Sequence, residues 1–124
     1  TQGWPALGPR FRGDDECVRG EAMFLVVFRN RKRADIDAAA YSADADRMED
    51  LARAQPGFLS FKSYTSDDGE VIALSEWADA KAAQAWGSHP DHARTQARGR
   101  AEFYESYTLY TAEFPRTHSF ERPA

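Results

Sequence analysis

Residues 72–110, IALSEWADAKAAQAWGSHPDHARTQARGRAEFYESYTLY, decide how this chain is read. Residues 71–78 are mostly apolar and of strand length, so they are expected to form a strand. A helical stretch begins near Asp79 and falters at Gly87. It restarts at Pro90, a residue suited to the first helical position, with Ser88 or His89 as cap, and runs to about Ala101. Residues 104–114 alternate aromatic and polar side chains as a long final strand. The stretch therefore reads as strand, broken helix, strand. Trp77 stands on the strand, and Trp86, His89 and His92 crowd the helix break.

Upstream, residues 22–30, AMFLVVFRN, are an apolar run of strand length, rich in β-branched and aromatic residues and expected to be buried on both faces. Residues 35–55 read as a helix, with Asp35 or Asp37 as its cap. Ala38, Tyr41, Ala45, Met48 and Ala52 recur at three- and four-residue steps, with Leu51 beside them. Asp46, Arg47, Asp50 and Arg53 occupy the other side, and Pro56-Gly57 ends the helix. Phe58–Thr65 is a second strand, and Ser66-Asp67-Asp68-Gly69 is a hairpin turn.

The order is β-α-β-β-α-β. It predicts an α+β, ferredoxin-like fold: a four-stranded antiparallel sheet with both helices on one face. The first and third strands are apolar on both sides, yet the helices cover one face only. A second copy packed sheet against sheet would bury the other, so a homodimer is expected.

The 124 residues suffice for one domain, and 42% hydrophobic with 29% charged residues fits a folded chain. Residues 1–21, rich in Gly and Pro, read as an arm rather than an element, with Trp4 and Phe11 able to dock on a neighbour. Residues 22–116 form the expected domain, beginning near Met23, and 117–124 a polar tail. The net charge of −4 argues against nucleic acid as a partner. The one basic run, Arg29, Arg31, Lys32 and Arg33, is read as a solvated loop, with an anion-recognition patch at a pocket mouth as the alternative. A single cysteine, Cys17, forms no intrachain disulfide and sits in a Gly-rich arm without a neighbouring histidine. No membrane-length apolar run or signal-peptide core is seen, so no membrane partner is expected and the cytoplasm is the default location.

His92, Gln96 and Gly99 fall on one helix face, where the glycine would allow a close approach. His92 is the acid–base candidate. Trp86 is either core or pocket wall, Trp77 is read as core, and His89 as a helix-start residue. Tyr104 and Tyr107 open the last strand close by. Asp91 lies between the two histidines, but no third ligand is placed, so no metal site is assigned. Phosphate loops, dinucleotide fingerprints and hydrolase elbows are absent from the sequence.

The segments QPGFLSFKSY, DDG and IALSEWADAKAAQAWGSHPDHARTQARGRAEFYESY together resemble the antibiotic biosynthesis monooxygenase domain over residues 23 to 116. That resemblance implies a dimeric α+β barrel with a pocket in each subunit between helices and sheet. It also implies one of several activities. Some members oxidise phenols to quinones with oxygen and neither metal nor flavin, some bind and degrade haem, and others act on small quinones or aldehydes. The tryptophan of the haem degraders corresponds to Trp86, whereas Gln96 holds the position of their haem-ligating histidine, and their strand-one asparagine falls nearest Val27, with Asn30 close. The leading expectation is a cofactor-independent monooxygenase acting on a small phenol, hydroquinone or anthrone-like substrate with O2. Its catalytic candidates are His92, Trp86, Gln96 and Tyr104, and its substrate-binding candidates are His89, Trp77, Phe24, Phe61 and Tyr107. Alternatives are a non-catalytic ligand-binding or stress-associated dimeric module, and a haem-binding member.

Overall fold

The computed structural model describes residues 17–19 (backbone) and 23–123. In chain order the elements are β1 (Cys17–Arg19), β2 (Phe24–Lys32), α1 (Ala38–Arg53), β3 (Phe58–Thr65), β4 (Val71–Trp77), α2 (Ala80–Gly87), α3 (Pro90–Arg98), a π-helical turn (Gly99–Phe103), β5 (Tyr104–Glu113) and β6 (Arg116–His118). Strands β2 to β5 form one antiparallel sheet in the order β3-β4-β2-β5. This is the expected α+β, ferredoxin-like arrangement. No described helix is long and apolar enough to cross a membrane.

Each helix starts where its sequence supplies a cap. Asp37 Oδ1 accepts the Ala40 N–H at 3.0 Å, and Asp79 Oδ1 accepts the Ala82 N–H at 2.8 Å. His89 Nδ1 accepts the Asp91 N–H at 3.1 Å, with Pro90 in the first turn of α3. Asp37, not Asp35, caps α1.

Two expectations change. The basic run is not a solvated loop, because β2 continues through Lys32. Arg29 pairs with Glu70 in a two-pronged contact, and Arg31 with Asp68, so their charge is met by the facing end of the hairpin. Most of the arm expected at 1–21, with Trp4 and Phe11, lies outside the described residues, as does the Cys17 side chain. Residues 17–19 are nevertheless a strand, paired antiparallel with 116–118 in a separate two-stranded sheet. Backbone pairing therefore continues past residue 116.

Strand alternation sorts the sheet into two faces. Register pairs Phe24–Trp77, Val26–Ser75, Phe28–Ala73 and Asn30–Val71 put these residues on the helix side. Leu25, Val27, Ile72 and Leu74 take the helix-free side, where Tyr64 and Tyr110 are half exposed. The main packed cluster lies at one end: Trp77, Trp86 and Ala52 are buried, with Phe24, Val26, Met48, Leu51 and Phe58 against them, while Phe103 is buried separately against Tyr41. The chain enters β3 through Gly57, whose φ is +83° and whose carbonyl accepts the Ala78 N–H at 2.7 Å. A Cβ there would come within 2.5 Å of the Ala82 Cβ. Gly57→Ala combines a left-handed conformation with a backbone-to-helix clash and is expected to cost about 2 kcal/mol or more. A thermal melt checks this.

Candidate functional site

A cavity of about 750 Å³ lies between the helix side of the sheet and the three helices, beginning at the packed end, where Ala52, Trp77 and Trp86 line it. That is ample for a drug-sized ligand. Phe24, Val26, Phe28 and Phe61 supply apolar wall from the sheet. Ser63, Thr65, Ser75, Gln84, Thr95 and Gln96 add neutral polar groups.

At the core end, aromatic rings are layered from the sheet outward. Trp77 is 1% exposed, meets Phe58 edge-on at 5.5 Å and donates its indole N–H to Ser75 Oγ at 3.0 Å. Trp86 stacks on it at 6.4 Å, and His92 stacks on Trp86 at 4.4 Å with the planes 10° apart. The helix break makes this stack. It turns α3 back so that His92 Nδ1 lies 3.0 Å from the Trp86 carbonyl. A carbonyl only accepts, so Nδ1 carries the proton and Nε2 keeps its lone pair. Burial lowers the pKa of His92, partly offset by the bond to the Trp86 carbonyl and assisted slightly by His89. Burial thus favours the neutral imidazole, with Nε2 as its basic nitrogen, in a residue that lines the cavity.

The far end is phenolic and cationic. Tyr104 lies across Gly99 so closely that a Cβ on Gly99 would come within 2.4 Å of its ring. The close approach foreseen at this glycine is therefore made by a side chain of the protein. Burial, and then the neighbouring Tyr41 and Tyr107, push the Tyr104 phenol well above its ordinary range, so it stays a protonated donor. Lys32 stands 4.5 Å over the Tyr41 ring and 5.7 Å from that of Tyr104, and its ammonium donates to Asn30 Oδ1. Asn30 is only 2% exposed. From His92 to Gly99, α3 advances about 10 Å, which sets the scale between the two ends.

Of the residues singled out in the sequence, His92, Trp86, Gln96, Tyr104, Trp77, Phe24 and Phe61 line this one cavity. His89 and Tyr107 stand behind it. His89 caps α3 and packs on Trp86 at 5.5 Å, while Tyr107 backs Phe28 at 5.1 Å and accepts from Arg100. Val27 faces the other side of the sheet, whereas Asn30 lines the cavity. Lys32, Asn30 and Tyr41 also line the cavity; the sequence offered Lys32 only within the alternative of an anion-recognition patch at a pocket mouth, Asn30 only as close to the haem degraders' asparagine position, and Tyr41 as part of the α1 stripe. A signal for two of them exists: Asn30 and Lys32 share the parity of Phe24, Val26 and Phe28 along one strand.

The family model described as antibiotic biosynthesis monooxygenase matches residues 23–98. The uncharacterized protein YqjZ of Bacillus subtilis (strain 168) is 34% identical over 98 residues, which span 79% of this chain and 84% of that protein. Among solved structures, Rv0793 from Mycobacterium tuberculosis superposes with a TM-score of 0.65 at 22% identity, covering 73% of this chain and 92% of the other. SnoaB, a cofactor-independent oxygenase from Streptomyces nogalater, superposes with a TM-score of 0.60 at 19% identity, covering 73% and 93%. At these identities the structural likeness speaks for the fold alone.

Proposed function

The chain belongs to the antibiotic biosynthesis monooxygenase family, and on that premise we propose that it oxidises a small phenol-, hydroquinone- or anthrone-like substrate with O2, without metal or flavin. One observation carries this reading: His92, its Nδ1 3.0 Å from the Trp86 carbonyl and its pKa lowered by burial, stands on the wall of a cavity large enough for such a molecule. Nε2 takes the acidic proton of the substrate. The electron-rich carbanion or phenolate then reduces O2, and the two combine as a hydroperoxide. For an anthrone-type methylene, loss of water leaves the ketone. One oxygen atom enters the product, the other leaves as water, and the substrate supplies all four electrons. Tyr104, Gln96 and the Trp86 indole N–H are the donors for the developing oxyanion, and the aromatic rings around them supply apolar wall. No step runs through haem, because the position of the family's axial imidazole holds Gln96, a carboxamide.

The test is oxygen uptake by metal-free protein with anthrones and hydroquinones. Consumption above the uncatalysed rate, with quinone formed in equal amount, supports the reading. Binding without uptake favours the alternative, a non-catalytic ligand-binding module.

The working unit we propose is a homodimer joined through the helix-free face of the sheet. Support comes from Leu25, Val27, Ile72 and Leu74, which stand half-buried there beside the exposed rings of Tyr64 and Tyr110. Leu74→Arg, at the middle of that face, is expected to convert the dimer to a monomer in sedimentation, whereas a wild type that already sediments as a monomer removes the proposal.

A further inference from the structure

The cavity contains a cation that no described carboxylate neutralises. Arg29 and Arg31 are paired with Glu70 and Asp68, Arg47 and Arg98 with Asp44, and Arg53 with Glu49. Lys32 lines the cavity yet meets only the Asn30 amide oxygen and the faces of Tyr41 and Tyr104. An ammonium has three donors, and one amide oxygen uses one of them. Aromatic faces attract the remaining charge without accepting its hydrogen bonds in full.

Asn30 sharpens the geometry. Lysine only donates, so the amide atom facing it is oxygen, and Nδ2 is left as the donor end. Among the described residues Nδ2 has no acceptor, and no buried side-chain nitrogen or oxygen is without a partner. In a residue 2% exposed that lines the cavity, Nδ2 therefore opens onto the cavity itself. Two donors, one of them charged, meet at the end remote from the Trp86–His92 stack.

We infer that Lys32 Nζ and Asn30 Nδ2 form an anion-recognition subsite, and that the aromatic ligand carries a carboxylate at the end of its skeleton away from His92. A single negative charge suits the site. One ammonium balances it, while three carboxylates on α1 also line the cavity, Asp44 and Glu49 held by arginines and Asp46 exposed, and disfavour a dianion. The subsite also fixes direction: a ligand anchored at Lys32, beside Tyr104, presents its other end toward the Trp86–His92 stack. The inference rests on the proposed function only in taking the ligand to be the aromatic substrate.

The experiment compares a matched pair, anthraquinone-2-carboxylate and its carboxamide, by quenching of tryptophan fluorescence, with Trp77 and Trp86 in the cavity wall as reporters. Wild type is expected to prefer the carboxylate by about tenfold or more. Lys32→Met should erase that preference, leaving carboxamide binding in place, and Lys32→Arg should keep it. Equal binding of the two by wild type overturns the inference, as does binding of neither, or a Lys32→Met variant that still prefers the carboxylate. The wild-type comparison stands even if a variant does not fold. Oxygen uptake is not read, so an inert protein that prefers the carboxylate keeps the subsite and loses only the oxygenase reading.

Discussion

His92→Ala is expected to lower kcat/KM for anthrone-driven oxygen uptake by about a hundred- to ten-thousand-fold, the usual range for removing a positioned general base. The ring is half-buried and contributes one stacking contact and one bond to a carbonyl, so the variant should remain folded. A variant that consumes oxygen as fast as wild type removes the base assignment. The pH profile gives a second reading. A base must be unprotonated, and burial holds His92 below its ordinary 6.5. The acid limb of kcat/KM should therefore lie below pH 6.5, with no further rise above it until the substrate itself ionises. Stability follows the same sign. The imidazole binds a proton more readily in the unfolded chain, so its contribution is full above pH 6.5 and declines as pH falls through the window below. Melting temperatures at pH 5 and pH 7.5 should differ less in His92→Ala than in wild type.

Trp77→Ala is expected to cost about 3–5 kcal/mol, the largest stability effect of any single truncation proposed for this chain. Trp77 is the largest fully buried side chain, and it joins three parts of the structure. Its ring closes the β2–β4 register opposite Phe24, meets Phe58 of β3 edge-on, and carries Trp86 of α2. Its indole N–H also satisfies Ser75, whose hydroxyl would be left without that donor. A domain of this size has roughly 5–15 kcal/mol in total, so the loss should lower the melting temperature by roughly 15 °C or more. Trp77→Phe keeps most of the volume and should lose much less. The same truncation leaves Trp86 without its backing ring, so ligand affinity should fall even below the melting transition. A Trp77→Ala protein that melts within a few degrees of wild type would show that the core end is not what holds the sheet to the helices.

The elements were legible because each one announces itself locally. Asp37, Asp79 and His89-Pro90 mark helix starts, Pro56-Gly57 and Gly87 mark stops, and the strands alternate with period two. The cavity was legible in part, since Trp86, His92 and Gln96 flank one helix break. Lys32 was legible only as part of a run: beside Arg29, Arg31 and Arg33 it read first as a solvated charge, with an anion-recognition patch at a pocket mouth as the alternative. His89 illustrates the reverse. It stands closer to Trp86 in sequence than His92 does, yet its nitrogen is used by the helix backbone.

The sequence by itself determined the β-α-β-β-α-β order of the main sheet and its helices, their caps and turns and the ferredoxin-like class, because those depend on periodicity and local backbone chemistry; the β1–β6 pair and the π-helical turn it did not show. Only the tertiary structure decided which chemistry-bearing side chains meet. Lys32 and His92 are sixty residues apart in number, and nothing local relates them. They come to opposite ends of one cavity because strand parity turns Lys32 inward. The break at Gly87–Pro90 meanwhile folds His92 onto Trp86, and Gly99 admits the Tyr104 ring between helix and sheet. Those relations depend on how faces are packed across the sheet, a long-range property that no stretch of the chain encodes alone.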